Sequence, residues 1–154
     1  MGGNGCGLSK RMGWNIVSGP DVGHWVAKRA GGYFDERSKA IGLKRHDDII
    51  AGVIYDNYNQ SSIWCHFAID AQLTPVYLAA IFDYPFNVAN VGKIIVPVGS
   101  DNEQSTKVVK NMGFREEGRI KDGRPGGDIV FYTLAKKDCR FLDAKYSKRI
   151  IRNG

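Results

Sequence analysis

Residues 63–70 read Ile-Trp-Cys-His-Phe-Ala-Ile-Asp, a run with no polar side. In an extended strand Ile63, Cys65, Phe67 and Ile69 share one face while Trp64, His66 and Ala68 share the other. A strand that is mostly apolar on both faces must be covered on both, which places it in the interior of a sheet flanked by other layers. Thr74-Pro75 follows within a few residues, an N-cap residue ahead of a proline suited to the first helical position, and predicts a helix to about residue 87. A central strand leading directly into a helix sets the class as α/β.

The rest of the chain fills in around that unit. Trp14-Asn-Ile-Val17 predicts a short strand, and Ser18-Gly-Pro-Asp21 a turn after which Asp21 opens a helix. Val22, Trp25, Val26 and Arg29 recur at helical spacing until Gly31-Gly32 ends the run. Within it His24 has no partner visible in the sequence. Residues 39–45 and 49–55 predict a hairpin across His46-Asp47-Asp48, and residues 57–62 turn the chain into the central strand. Residues 91–98 predict a further strand. Asp101-Asn102-Glu103 then caps a helix whose inner stripe is Ser105, Val108, Val109 and Met112, stopped by Gly113. Residues 115–120 and 128–134 pair across the turn 122–127, and after Lys136 the chain reads as helical and basic. With no internal repeat or linker, the expectation is one mixed-sheet domain over residues 13–142, a flexible glycine-rich arm over 1–12, and a basic tail over 143–154.

With 43% hydrophobic and 25% charged residues in 154, the composition is that of a globular domain that can build a core without disulfides or a structural metal. Cys6, Cys65 and Cys139 are odd in number and widely spaced, with no metal-ligand pattern, which fits a reducing, cytoplasmic setting. Cys65 reads as a small buried hydrophobe. No apolar run approaches membrane-spanning length, and the first dozen residues lack the apolar segment of a secretory signal. The Met-Gly start has Cys6 where a myristoylation signal wants Ser or Thr. The formal charge is +6, and residues 136–154 carry seven basic side chains against two acidic. Such a tail suits an acidic protein surface, a ligand's phosphates or nucleic acid, and equally a solvated terminal helix; no aromatic platform accompanies it to favour nucleic acid.

The stretch Val96-Pro-Val-Gly-Ser-Asp101, Asn102, Ser105, Asn111-Met-Gly-Phe114, Glu117-Gly118, Gly127-Asp128 and Tyr132 resembles the second half of the GNAT family of N-acyltransferases. The spacing from Asn102 to Ser105 to Gly113-Phe114, followed by Glu-Glu-Gly-Arg, looks like the branch that acetylates protein N-termini. Asp83-Tyr84-Pro85-Phe86-Asn87 and Asp138-Cys-Arg-Phe-Leu142 look more like GNAT-like proteins of tailed-phage genomes. The resemblance implies acetyl-CoA as cofactor, wedged between two splayed parallel strands, here residues 63–70 and 93–98. Its pantetheine would pair with the backbone of Phe67, Ala68 and Ile69, and its pyrophosphate would sit on the next helix N-terminus at Gln72, Thr74 and Val76, with Asn102 and Ser105 beside it.

The chain departs from the family pattern at two places. The turn before that helix, Ala71-Gln72-Leu73-Thr74-Pro75-Val76, lacks the glycines of the family signature, and Pro75 removes one donor from the anion nest. Val109 stands where many members carry a tyrosine as the acid. The N-terminal branch resembles a different solution, with Ser105 protonating the departing thiolate; a serine in a first helical turn also often bonds the backbone locally. For the base that takes the amine's proton, His66 comes first, with a core histidine beside Trp64 as its competing reading, and Asp70 second. Tyr132, alternating with other strand residues, reads as packing or as a donor to the site.

Three functions follow as expectations. The first is an acetyl-CoA-dependent N-acetyltransferase acting on a protein N-terminus, a lysine or a small amine. The second is a catalytically degenerate GNAT fold serving as a structural or interaction module, as in a virion or the host cytoplasm, with protein partners at its two termini. The third is an accessory protein that contacts nucleic acid through its tail.

Overall fold

The computed structural model describes residues 13–143 together with 145 and 146. Seven strands form one sheet: β1 (Trp14–Ser18), β2 (Lys39–Arg45), β3 (Asp48–Asp56), β4 (Ser62–Ile69), β5 (Lys93–Gly99), β6 (Arg115–Arg124) and β7 (Gly127–Ala135). Three α-helices with both ends among the described residues accompany them: α1 (Pro20–Ala30), α2 (Pro75–Asp83) and α3 (Glu103–Asn111). The strand order is β1-β2-β3-β4-β5-β7-β6, so β4 is the middle strand, as its two apolar faces require. Every neighbouring pair is antiparallel except β4 and β5, which are parallel and joined through α2.

The helices divide between the two faces of the sheet. Val22 and Val26 of α1 pack with Ala40, Ile54 and Ala68 on one face. Tyr77, Ile81 and Phe82 of α2 and Val109 of α3 pack with Tyr55, Cys65, Ile94, Val96 and Leu134 on the other. The close seat of α1 depends on Gly42 and Gly52, which face each other across β2 and β3. A Cβ on Gly52 would lie 2.5 Å from Val26, and one on Gly42 2.8 Å from Val22, so side chains there would lift the helix off the sheet.

Several boundaries differ from the sequence expectation. Helix α1 starts at Pro20 rather than Asp21, because Gly19 takes φ 106, where a side chain would be strained, and hands Pro20 the first helical position. The helix after Thr74 stays α-helical only to Asp83 and continues as a π turn over Tyr84–Val88. Pro85 has no N–H for the Ile81 carbonyl four residues back, and the Tyr55 hydroxyl donates to that carbonyl instead at 2.6 Å. Val91 is buried but lies ahead of β5, its N–H bonded to the Pro85 carbonyl. Strands β6 and β7 reach further than expected and close on Pro125-Gly126, with Gly126 at φ 83.

Up to Leu142 the helical reading after Lys136 becomes two short 3₁₀ turns, Lys136–Asp138 and Arg140–Leu142, while Lys145 and Tyr146 are helical and the rest of that reading lies outside the described residues. Cys139 between them is extended, which turns Phe141 inward to stack on Phe82 at 4.8 Å. The expected arm over residues 1–12 and most of the expected tail lie outside the described residues. Among the described residues no helix is long and apolar enough to cross a membrane.

Candidate active site

The site begins where two parallel strands stop pairing. Strands β4 and β5 pair only at Ser62 with Lys93, Ile63 with Ile94 and Trp64 with Ile95. From residue 65 on one strand and 96 on the other, they carry no pairing with each other, although each keeps its antiparallel neighbour, β3 or β7. Pro97 stands in the parted half, where a missing ladder donor costs least. Backbone groups on the facing edges are left for something other than a strand, and an interior sheet does not leave them so without cause.

A cleft of about 660 Å³ opens at this parting. One wall is His66, Phe67, Ala68, Ile69 and Asp70 of β4 and its end; the other is Val96, Pro97, Val98 and Gly99 of β5. Asn102 and Ser105 border it from the start of α3, Arg29 and Gly31 from the end of α1, and Arg124 from the β6–β7 hairpin. The cleft therefore gathers most of the residues expected from the sequence, including His66, Asp70, Phe67, Ala68, Ile69, Asn102 and Ser105.

Each polar side chain has a defined setting. Asn102 is the N-cap of α3, its Oδ1 accepting from the Ser105 N–H at 3.0 Å. Ser105 keeps its hydroxyl without a hydrogen-bond partner among the described residues; the local backbone bond belongs instead to Thr106, whose Oγ1 donates to the Asn102 carbonyl at 2.9 Å. His66 is half-buried and its Nε2 lies 3.1 Å from both carboxylate oxygens of Asp56. Asp70 accepts from Arg29 Nε at 3.2 Å, and that guanidinium lies over the Trp25 ring at 3.8 Å. Arg124 is held at the rim by Asp101, 2.7 Å away.

Gln72, Thr74 and Val76 do not line the cleft; Gln72 and Thr74 lie in the turn from β4 into α2, and Val76 in the first turn of that helix. Thr74 is the N-cap of α2, its Oγ1 accepting from the Tyr77 N–H at 3.2 Å. With Pro75 lacking an N–H and Tyr77 occupied, Val76 is the one residue of the first three in α2 whose amide is open to an anion. The amides of residues 71–74 form no hydrogen bond with described residues, so the turn still presents donors ahead of the helix. Taken together, the parted strands and this turn fit the two halves of a CoA molecule, a strand-like pantetheine and an anionic diphosphate.

Other candidates resolve as packing. Tyr132 is buried in the main core, Val109 likewise, and His24 stacks edge-on against Phe34 at 5.5 Å. Cys65 is buried and its thiol is pushed well above the usual thiol range by desolvation; burial pushes Cys139 up to about 11. Both are poor nucleophiles at neutral pH. Among the described residues no group of His, Cys, Asp and Glu is placed to hold a metal ion. The sequence reading missed Arg29, Asp56 and Arg124. Asp56 and His66 are ten residues apart on neighbouring strands, and only the β3–β4 register brings them together.

No protein-family model matches the chain, and no curated protein sequence matches it. Solved structures do match. A spermidine N-acetyltransferase mutant from Vibrio cholerae is 15% identical over 86% of this chain and 98% of its own, with a TM-score of 0.66. The ribosomal-protein-S5-alanine acetyltransferase of Vibrio fischeri is 14% identical over 83% of this chain and 96% of its own, at 0.63. The N-acetyltransferase PseH of Campylobacter jejuni, solved in complex with acetyl coenzyme A, is 17% identical over 66% of this chain and 70% of its own, at 0.52. The likeness is one of fold: a single domain with a mixed seven-stranded sheet flanked by helices, in the GNAT arrangement.

Proposed function

We propose that this chain is an N-acetyltransferase that moves an acetyl group from acetyl-CoA to a primary amine. The observation that carries the reading is the parting of β4 from β5, with His66 on one wall of the resulting cleft and the unpartnered Ser105 hydroxyl at its other border. Acetyl-CoA would supply the thioester that makes the acyl group transferable. The edge of β4 at Phe67, Ala68 and Ile69 would hold its pantetheine, and Gln72, Thr74 and Val76 would meet its diphosphate. Asn102 would act through α3, by fixing the turn that carries Ser105.

In this reading His66 takes a proton from the acceptor ammonium so that the nitrogen lone pair can attack the acyl carbon. The C–N bond forms, the C–S bond breaks, Ser105 gives its proton to the departing sulfur, and the new amide nitrogen gives its second proton back to the Ser105 oxygen. Asp70 is the weaker candidate for the base, because its carboxylate is engaged by Arg29. The solved neighbours with this fold include enzymes named for spermidine and for a ribosomal alanine, so both amine classes belong in the assay. Calorimetric titration with acetyl-CoA, followed by thiol-release assays with spermidine and with an alanine-initiated peptide, tests the reading. Binding with release on adding either amine is the expected result; no heat at millimolar acetyl-CoA would overturn it.

One observation favours a second reading, a fold kept for its surfaces. Pro75 and the Thr74 cap remove two of the three amides that open α2 from anion binding. A protein of that kind would ignore acetyl-CoA and lose partner binding when residues 1–12 or 143–154 are removed.

A further inference from the structure

We infer that Asp56 is a positioning residue for His66, and that the acceptor amine reaches the imidazole at Nδ1, over the Gly31-Gly32 turn. The inference rests on the acetyltransferase reading and goes beyond it by assigning the tautomer, the residue that fixes it and the direction of approach.

The β3–β4 ladder sets Ile54 opposite His66 and Asp56 opposite Trp64. Asp56 is therefore the diagonal neighbour of His66 on the same sheet face, within reach of a side-chain bond. Both carboxylate oxygens stand 3.1 Å from Nε2, and the two side chains are only 17% and 24% exposed, so water competes weakly for the pair. A carboxylate has lone pairs and no proton to give, so the Nε2 that faces it carries the hydrogen. In the neutral ring Nδ1 is then the bare nitrogen, the one able to accept a proton. Once it has done so, the imidazolium is paired with the carboxylate already in place.

The Nδ1–Cγ edge of the ring lies beside the turn that ends α1. A Cβ built on Gly32 would lie 3.8 Å from both Nδ1 and Cγ of His66, so a side chain at this position would crowd that edge of the ring. Gly31 lines the cleft and ends α1 in the left-handed conformation, φ 74, turning the chain away and leaving two residues without side chains at this edge. Asp70 and Arg29 flank the same opening as an ion pair, and Asp70 shares the β4 face of His66. The proton path closes with groups of this cleft: the ammonium N–H gives its first proton to Nδ1, Nε2–H stays on Asp56, the freed electron pair forms the new C–N bond, and the nitrogen's second proton goes to the Ser105 oxygen once that oxygen has protonated the departing sulfur.

The test uses the full chain and two independent readouts. Long-range proton–nitrogen NMR of the His66 ring should show a protonated Nε2 and a bare Nδ1 in the wild type. Asp56→Ala should give a mixture of tautomers, and Asp56→Asn should keep the wild-type form, because its amide oxygen still accepts. In thiol-release assays with acetyl-CoA and the better of spermidine and the alanine-initiated peptide, Asp56→Ala should lower kcat by a factor within the ~10²–10⁴ range of general-base catalysis, with KM for acetyl-CoA unchanged. Hydroxylamine, unprotonated at neutral pH, should be acetylated by Asp56→Ala at close to the wild-type rate. Gly32→Val, at a position without left-handed backbone, should raise KM for the amine while leaving the His66 tautomer and acetyl-CoA binding intact.

A wild-type tautomer with the proton on Nδ1, or an Asp56→Ala enzyme with unchanged kcat toward the ammonium substrate, overturns the inference. So does an Asp56→Ala loss as large with hydroxylamine as with the ammonium substrate. A wild type that shows the expected tautomer but neither binds nor turns over acetyl-CoA brings down the acetyltransferase reading instead, and reduces the pair to a structural contact.

Discussion

Helices α2 and α3 each follow one of the two parallel strands and pack on the same face of the sheet, yet they are held in opposite ways. Helix α2 buries Tyr77, Ile81 and Phe82 and is tied to the sheet by polar bonds as well: Tyr77 Oη donates to the Ile41 carbonyl at 2.9 Å and Tyr55 Oη to that of Ile81 at 2.6 Å. Helix α3 buries Val109 alone, followed by Met112 at its end, and turns its polar first turn to the cleft. One helix fixes the sheet where the strands part, and the other serves the opening. A site needs both, because a rigid frame holds geometry while a lightly buried first turn leaves a cap and a hydroxyl accessible.

The largest effect that would break this comparison is in the apolar anchoring. Phe82 is 1% exposed and stacked on Phe141, so Phe82→Ala should cost about 3–5 kcal/mol of unfolding free energy, read from urea denaturation. Val109→Ala removes two methyl-sized groups at ~0.8 kcal/mol each and should cost about half as much or less. A Val109 variant that unfolds before the Phe82 variant would reverse the assignment of frame and opening.

Next in size is the polar tie. Tyr55→Phe removes the hydroxyl that donates to the Ile81 carbonyl, four residues before Pro85 with its missing N–H, and should cost about 1–3 kcal/mol. Hydrogen exchange in residues 75–83 should rise in that variant while residues 103–111 stay as in the wild type. Equal changes in both helices would mean that they unfold as one unit.

These anchors also mark what the sequence could and could not reveal. The frame was legible, since the two-faced pattern of residues 63–69, the Thr74-Pro75 start and the stripe of Val108, Val109 and Met112 are local signals of local structure. Asn102 and Ser105 were legible for the same reason, being a cap and a first-turn residue. The π turn was not, because it comes from a missing donor at Pro85 together with Tyr55, a residue from another strand. Asp56, Arg29 and Arg124 were equally hidden, since their places depend on strand register, a helix end and a hairpin closing on a cleft no one segment encodes.

The two caps give a subtler comparison. Thr74→Ala and Asn102→Ala each remove a side chain that accepts from a first-turn amide, and each should cost about 1 kcal/mol. Their effects on thiol release should differ although their stabilities match. Asn102→Ala loosens the turn that carries Ser105 and should slow release, whereas Thr74→Ala frees the Tyr77 amide next to that of Val76 and should leave acetyl-CoA affinity equal or tighter. Weaker acetyl-CoA binding in Thr74→Ala would show that the threonine itself, rather than the amides, meets the diphosphate.

The smallest structural change separates the two readings of Ser105. A first-turn hydroxyl in a helix usually bonds back to the chain, and in α3 that bond is made by the adjacent Thr106. Removing the Ser105 hydroxyl therefore breaks no bond among the described residues, and Ser105→Ala should stay within about 0.5 kcal/mol of wild type in urea denaturation. Thr106→Ala, which does break one, should be at least as destabilising and yet leave thiol release unaltered. The Ser105 variant should instead lower kcat by a factor in the ~10²–10⁴ range while KM for acetyl-CoA holds, because protonating the sulfur matters only as the C–S bond breaks. Unchanged kcat in Ser105→Ala would remove the acid from this helix and leave the leaving group to solvent. The cleft would then have a base on one wall and no matching donor on the other, and α3 would be an opening without a chemical part.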